Sequence, residues 1–167
     1  TGLLVIDVLD PAHPALAGVL DTPGYAYTVF VEGTLAYVAD GLGGLRIISL
    51  ANPAAPVLAG ALDTPGTAWD VAVAGNRACV ADGMSGVPII DCTNPAAPVL
   101  LSTYTNPSDN FYGVDMEGSL LVTTSASIGV RALDITNGAA PALVASLNLP
   151  EQVNRPTLVG ERLLLAN

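Results

Sequence analysis

Short apolar runs separated by turn residues recur along the whole chain, about ten residues apart. Within one stretch the runs are Leu45 to Leu50, Val57 to Leu62, Ala68 to Ala74 and Arg77 to Ala81. None of them repeats with the period of a helix, and Pro, Gly and Asn stand between them. The pattern therefore predicts four short strands in this stretch and an all-β fold for the chain.

The four-run pattern itself repeats. Gly2, Gly44, Gly86 and Gly129 are equivalent starting points, with spacings of 42, 42 and 43 residues. A fixed period of this length is typical of repeat architectures, in which each repeat packs on its neighbours. We therefore treat residues 1–167 as one region with about four repeat units: 2–43, 44–85, 86–128 and 129–167.

Several runs are apolar on consecutive residues, as in Leu3-Leu4-Val5-Ile6, which predicts sheets covered on both faces. Radially stacked blades of a β-propeller meet that condition. Glycines in Glu32-Gly33 and Glu117-Gly118 favour tight hairpins between the first two strands. The Asn-Pro-Ala-Ala-Pro segment at 52–56 and again at 94–98 predicts a longer link, because proline cannot donate to a ladder.

Several segments recur between the repeat units. They are Leu4-Val5-Ile6-Asp7, Leu45-Arg46-Ile47-Ile48-Ser49, Pro88-Ile89-Ile90-Asp91, Ala36-Tyr37-Val38-Ala39-Asp40-Gly41, Ala78-Cys79-Val80-Ala81-Asp82-Gly83 and the Asp-Thr-Pro-Gly segments at 21–24 and 63–66. With these segments the repeat resembles the LVIVD-type propeller repeats of bacterial and archaeal surface proteins, which are related in architecture to YVTN and WD-repeat propellers. The resemblance implies four-stranded antiparallel blades and an extracellular or cell-surface location. It implies no particular activity, because one fold hosts many functions.

Counting strands places complete blades at 25–62, 67–104 and 111–147, with half-blades at 2–20 and 153–166. We expect a part of a larger propeller, because a four-bladed ring demands strongly wedge-shaped packing and the resemblance implies larger rings. Thr1 rather than methionine begins the chain, which favours an excerpt of a longer reading frame. Two alternatives remain open: the half-blades pair in a compact four-bladed ring, or two copies form an eight-bladed assembly. If the ring is not closed in either of these ways, we expect the open blade faces to associate with the remainder of a longer chain or with each other.

Composition narrows the classes of partner. The formal net charge is -10, which repels phosphate backbones and anionic membranes, so we expect no nucleic acid partner. No apolar run is long enough to span a bilayer, so we expect no membrane insertion. The absence of lysine and the abundance of Thr, Ser, Asn, Ala and Gly suit an exported protein.

Most of the aromatic residues fall in loops that an up-and-down blade brings to one face. One interpretation is a recognition surface for a glycan or a protein loop, because aromatic rings with a wet edge suit both ligands. The alternative is that these rings plug the channel as buried core. The candidate ligand-binding residues are Tyr25, Tyr27, Trp69, Asp70, Phe111, Tyr112, Asp40 and Asp82.

Asp40 and Asp82 recur at equivalent positions, so we expect first that they accept hydrogen bonds from nearby turn amides. Calcium requires six or more converging oxygens, and the chain has no EF-hand loop, so we expect no cofactor or metal, with calcium the less favoured alternative. Cys79 and Cys92 occupy positions that are apolar or aromatic in other units, which indicates buried thiols, although a cross-strand disulfide is conceivable.

Histidine occurs once, at His13 in a loop, and no phosphate-binding loop or nucleophile motif is present. We therefore expect no enzyme. The favoured function is a non-catalytic binding or adhesion scaffold of a secreted or cell-surface protein. A purely structural repeat module and an accessory propeller of an exported enzyme are the alternatives.

Overall fold

A computed structural model describes residues 2–126, 129–149 and 153–166. These residues form sixteen strands and no helix, and so none of their elements is a helix able to cross a membrane. The strands are β1 Gly2–Asp7, β2 Ala15–Asp21, β3 Thr28–Glu32, β4 Leu35–Ala39, β5 Leu45–Ser49, β6 Val57–Leu62, β7 Asp70–Ala74, β8 Arg77–Ala81, β9 Val87–Asp91, β10 Val99–Tyr104, β11 Phe111–Glu117, β12 Leu120–Ser125, β13 Gly129–Asp134, β14 Ala142–Leu147, β15 Pro156–Val159 and β16 Arg162–Leu165.

Consecutive strands pair antiparallel in three four-stranded sheets, β3 to β6, β7 to β10 and β11 to β14. Two further sheets have two strands each, β1 with β2 and β15 with β16. The predicted all-β class with four-stranded antiparallel blades is confirmed. We call the larger sheets blades and the smaller ones half-blades.

The blades are arranged radially. β7 contacts both β3 and β11, and β11 contacts β15, so the first strand of each blade lies at the centre. The fourth strands, β6, β10 and β14, lie at the rim, and all of their residues are exposed or partly exposed.

The core lies in the seams between blades. In β4, Tyr37 and Ala39 belong to the cluster shared with the second blade, whereas Ala36 and Val38 belong to the cluster shared with β1. The two sets alternate because successive side chains of a strand point to opposite faces. Apolar runs in the second and third strands therefore mark blades that are covered on both sides.

The first half-blade departs from that expectation. Leu3 is buried against the next blade, but Leu4 is 60% exposed and Ile6 is 46% exposed. The prediction that both faces of this run are covered is wrong for these two residues, because only one neighbouring sheet packs on β1 among the described residues.

The proline-rich links pack against the fourth strand of the preceding sheet. A β-carbon added to Gly18 would lie 2.2 Å from the Pro53 carbonyl oxygen, and one on Gly60 would lie 2.0 Å from that of Pro95. At the third seam Gly138 replaces the proline, and Ser102 replaces the glycine and donates a 2.6 Å hydrogen bond to the Gly138 carbonyl. The irregular fourth repeat is thus matched by a change in its neighbour.

Both cysteines are free and buried, and they belong to different core clusters. Burial raises the pKa of the Cys79 thiol to about 12 and that of Cys92 to about 11.

Pro88 lies in β9, an inner strand of its blade, where the ladder with β8 stops at Ile89. The missing proline N–H accounts for that shortened ladder.

Candidate functional site

The loops between the second and third strands of each blade meet the links that lead into the next blade. Gly41 forms a backbone bridge with Ala68, and Gly83 forms the equivalent bridge with Phe111. We call the surface formed by these loops and links the upper face. In the third blade the corresponding loop is 125–128, of which residues 127 and 128 lie outside the described part of the chain.

Buried carboxylates join each loop to the link that precedes its blade. Asp40 accepts hydrogen bonds from the Thr22 hydroxyl at 2.5 Å and from the Gly24 amide at 2.9 Å. Asp82 accepts from the Thr64 hydroxyl at 2.6 Å and from the Gly66 amide at 2.8 Å. Amide donors were expected, but they come from residues 16 positions earlier rather than from the carboxylate's own turn.

Each Asp-Gly pair therefore makes two connections. The aspartate side chain holds the preceding link, and the glycine backbone holds the following one. Gly41 and Gly83 adopt φ values of +57° and +62°, a conformation that favours glycine. The result is a continuous belt of hydrogen bonds across the upper face, with Asp40 and Asp82 buried within it.

In the third blade, the loop and the link exchange the carboxylate and the hydroxyl of this contact. Asp109 takes the place of Gly66 in the link, and Ser125 takes the place of Asp82 in the loop. The Ser125 hydroxyl lies 3.1 Å from Asp109 Oδ1, so a carboxylate and a hydroxyl still meet. The sequence carried a signal for this exchange, because the Asp-Gly pair disappears in the repeat where a new aspartate enters the link.

Two arginines that the sequence reasoning did not single out also belong to the belt. Arg46 lies between Asp40, at 3.7 Å, and Asp63, at 2.9 Å. Arg131 occupies the equivalent position in the third blade and lies 3.4 Å from Asp109. Pro88 stands at that position in the second blade. Burial raises the pKa of Asp82, although its bonds with Thr64 and Gly66 act in the opposite direction.

Three aromatic side chains at equivalent positions of successive links form a continuous row. The ring centroids of Tyr27 and Trp69 are 4.5 Å apart, and those of Trp69 and Tyr112 are 5.5 Å apart. The rings are tilted by 44° and 56°. Tilted contacts of this kind are favourable between aromatic quadrupoles, so they stabilise the row.

The candidate aromatic residues divide between the two interpretations. Phe111 is buried in the core beside Tyr104, as the plug interpretation expects. Tyr25 is 69% exposed and Tyr27 is 47% exposed, as a recognition surface requires. Trp69 and Tyr112 are partly buried, so their exposure is intermediate between that of Phe111 and that of the two tyrosines. Ligand contact by any of them stays a prediction.

The row borders a groove of about 440 Å³ on the upper face. Leu42, at the tip of the first loop, is 81% exposed at its edge, and Met84, its equivalent in the second blade, is exposed to the same degree. The groove wall is mostly apolar. The lining residues are Pro23, Gly24, Tyr25, Tyr27, Gly41, Leu42, Thr67 and Trp69.

An ion pair lies where β7, the innermost strand of the second blade, begins. Arg155, at the position equivalent to Tyr27 and Trp69, places its Nε 3.2 Å from Asp70 Oδ1. The intervening Gly113 makes the approach possible, since a β-carbon there would lie 2.9 Å from Arg155 Cα. Asp70 also accepts from the Val114 amide. Burial raises the pKa of Asp70, and the Arg155 charge partly offsets that effect.

The described residues contain no cluster of three His, Cys, Asp or Glu side chains able to hold a metal ion. His13 is exposed in the β1–β2 loop and lies 2.8 Å from Asp10. The upper face therefore offers apolar edges and a rigid frame of internally bonded carboxylates, which suits binding.

Comparisons with known proteins agree with this architecture. The sequence model of the LVIVD repeat matches residues 1–22, 23–64 and 65–106. No curated protein matches the chain significantly.

Two of the solved structures that are similar to the chain are computationally designed proteins. The computationally designed Ika4 protein has a TM-score of 0.73 at 8% identity, over 89% of this chain and 88% of that one. The designed Ika8 protein has a TM-score of 0.68 at 10% identity, over 82% of this chain. The chain spans only 41% of the length of Ika8. At such identities the likeness shows the fold alone.

Proposed function

We propose that this chain, which belongs to the LVIVD repeat family, is a non-catalytic binding and adhesion scaffold that recognises a protein or glycan with its upper face. The observation that carries the proposal is the row of Tyr27, Trp69 and Tyr112 beside exposed Tyr25 and Leu42. Large apolar side chains clustered at the surface mark interaction sites more often than chance placement does.

The belt of hydrogen bonds supports this proposal. Thr22 and Gly24 are held by Asp40, and Thr64 and Gly66 are held by Asp82, so the links that carry the aromatic rings are fixed before a ligand arrives. A preorganised site loses less conformational entropy on binding. Rigid repeats that present side chains from loops on one face are suited to this role.

Catalysis is not part of the proposal. The carboxylates nearest the groove, Asp40 and Asp82, are buried and bonded to amides and hydroxyls of the chain itself. A general acid or base must instead reach the substrate. We further propose an extracellular or cell-surface location, in keeping with the LVIVD resemblance and the absence of lysine.

The single tryptophan supplies a direct test, because Trp69 lies in the row. Glycans and displayed peptides are screened against the chain, and each binder is titrated while the tryptophan emission is recorded. We expect binders that shift the emission and that bind at least tenfold more weakly to Leu42→Ser.

The matched control is Leu9→Ser. Leu9 is 93% exposed in the β1–β2 loop, away from the upper face, so this change should leave affinity unaltered. Binders that are equally sensitive to both changes, or a complete absence of binders that depend on Leu42, would contradict the proposal. A purely structural repeat module would then be the better description.

The half-blades favour a second kind of interaction. Leu4 and Ile6 on β1 are exposed, as are Val29 and Val31 on β3, and no described strand covers them. We propose that these open faces associate with strands of a longer chain or of a second copy. Light scattering over a range of concentrations should show self-association of the isolated chain, and a stable monomer of 16.8 kDa would contradict it.

A further inference from the structure

Trp69 has little free ring face for stacking. Tyr27 and Tyr112 come from the links on either side of it, with ring centroids 4.5 Å and 5.5 Å from that of the indole. A sugar ring that stacks on tryptophan needs an open, flat face, and here the neighbouring tyrosines are tilted toward it. What remains accessible is the set of spaces between the ring edges. Such spaces fit compact apolar side chains better than they fit pyranose rings.

Several polar groups near the row are bonded within the chain. Asp40 is bonded to Thr22 and Gly24, and the Asn110 amide donates to the Tyr112 hydroxyl at 2.8 Å. A glycan exposes many hydroxyls, each of which needs a fixed donor or acceptor when it leaves water. Leu42 instead lines the groove, and Met84 is exposed at the equivalent loop tip of the second blade, where both contribute flexible apolar contact.

The site is repeated along successive blades. A β-carbon on Gly41 would lie 3.2 Å from Tyr27 Cε2, and one on Gly83 would lie 3.5 Å from Trp69 Nε1. Leu42 and Met84 follow these glycines, so each of the first two blades places one exposed apolar side chain at a loop tip beside the row. Two equivalent subsites in succession suit an extended ligand with apolar groups at intervals. A proline-rich segment has this form and enters aromatic grooves in its preformed conformation.

Charge on the upper face indicates the flanking residues of such a ligand. Arg46 is balanced by Asp40 and Asp63, and Arg131 is balanced by Asp109. Two aspartates flank the single charge of Arg46, and the chain as a whole carries a formal net charge of -10. A cationic partner is favoured by this field, and the preference weakens as salt screens it.

We infer that the groove recognises an extended, proline-containing polypeptide segment with lysine or arginine beside its apolar residues. This inference rests on the proposed binding function and specifies the class of ligand. Leu42 and Met84 would contact the apolar side chains, and the exposed edges of Tyr27 and Trp69 would form the walls between them.

A displayed library of random decapeptides tests the inference. The library is selected on the full chain and depleted on the double variant Leu42→Ser/Met84→Ser, which should fold normally because both side chains are exposed loop tips. Urea denaturation of the double variant verifies its stability. An array of plant, bacterial and animal glycans is probed in parallel with the same two proteins.

We expect enriched peptides that contain proline and basic residues. A synthetic copy should shift the Trp69 emission, bind at least tenfold more weakly to the double variant, bind equally to Leu9→Ser, and lose affinity between about 0.05 M and about 0.5 M NaCl.

Enriched peptides that lack proline or basic residues would overturn the inference, as would enrichment no greater than that on the double variant. Glycan binding that depends on Leu42 and Met84, without such peptides, would overturn the inference and leave the proposed function intact. Failure of both screens would contradict both.

Discussion

The Thr64 hydroxyl donates a 2.6 Å hydrogen bond to Asp82, across 18 residues of sequence, and so fastens a blade-to-blade link to the loop of the following blade. Thr22 and Asp40 repeat the same contact one blade earlier. The recurring Asp-Thr-Pro-Gly and Asp-Gly segments are therefore two halves of one connection. Its geometry sets where the aromatic row lies.

Removing the Thr64 hydroxyl should weaken the fold. In Thr64→Val the buried Asp82 carboxylate loses one donor and keeps only the Gly66 amide, so we expect a loss of about 1 to 3 kcal/mol in the free energy of unfolding. Urea denaturation measures it. Thr64→Ser should recover most of the loss, and Thr34→Val, at an exposed hairpin position, should have little effect. Equal losses in Thr64→Val and Thr34→Val would contradict the role of this contact.

Asp82 should give the chain a characteristic pH dependence. Its pKa is raised above the ordinary value of 3.8 by burial, so the folded chain binds the proton at a higher pH than the unfolded chain does. Acidification through the raised pKa should therefore stabilise the wild type relative to Asp82→Asn, and this stabilisation is lost as the pH rises. Denaturation curves of both proteins over a pH series measure the difference.

Asp91→Asn is the control with the opposite sign. Hydrogen bonds from Thr93 lower the pKa of exposed Asp91, so the wild type should lose stability relative to this variant as the pH falls. The interpretation fails if both variants show the same sign.

At the seam between the first and second blades, substitutions of Gly60 and Pro95 should compensate for each other. Gly60→Ser alone places a β-carbon against the Pro95 carbonyl and should cost about 1 to 3 kcal/mol through overpacking. Adding Pro95→Gly copies the natural Ser102 and Gly138 pair and should recover about 0.5 kcal/mol or more. A double-mutant cycle in urea measures the coupling. Strictly additive losses would show that the two positions do not adapt to each other.

The positive charge of Arg155 should lower the pKa of Asp70. In Arg155→Gln the chain length of the side chain is nearly kept but its charge is removed, so the pKa of Asp70 should rise further above 3.8. Carbon-detected NMR titration of the Asp70 carboxyl measures it. Arg162→Gln, an exposed change on β16, should leave that pKa in place. An unchanged titration of Asp70 in Arg155→Gln would show that the 3.2 Å ion pair has no influence on it.

The chain's own repetition was enough to predict the class of fold. Runs such as Leu45 to Leu50 recur with a constant spacing, and strand period, turn residues and apolar content are local properties that a sequence displays directly. The grouping of Tyr25, Tyr27, Trp69 and Tyr112 on one face follows from the alternation of hairpins. Phe111 could not be separated from them, because its burial depends on the neighbouring blade rather than on its own link.

Tertiary structure alone decided which residues complete the site. Asp40 meets Thr22, Arg131 meets Asp109 and Arg155 reaches Asp70 across Gly113, although each pair is well separated in sequence. Such contacts depend on the angle and distance between sheets, which are set by side-chain packing in the seams. Strand period and turn chemistry act over a few residues, so they determine that blades form, while packing between blades determines which side chains meet.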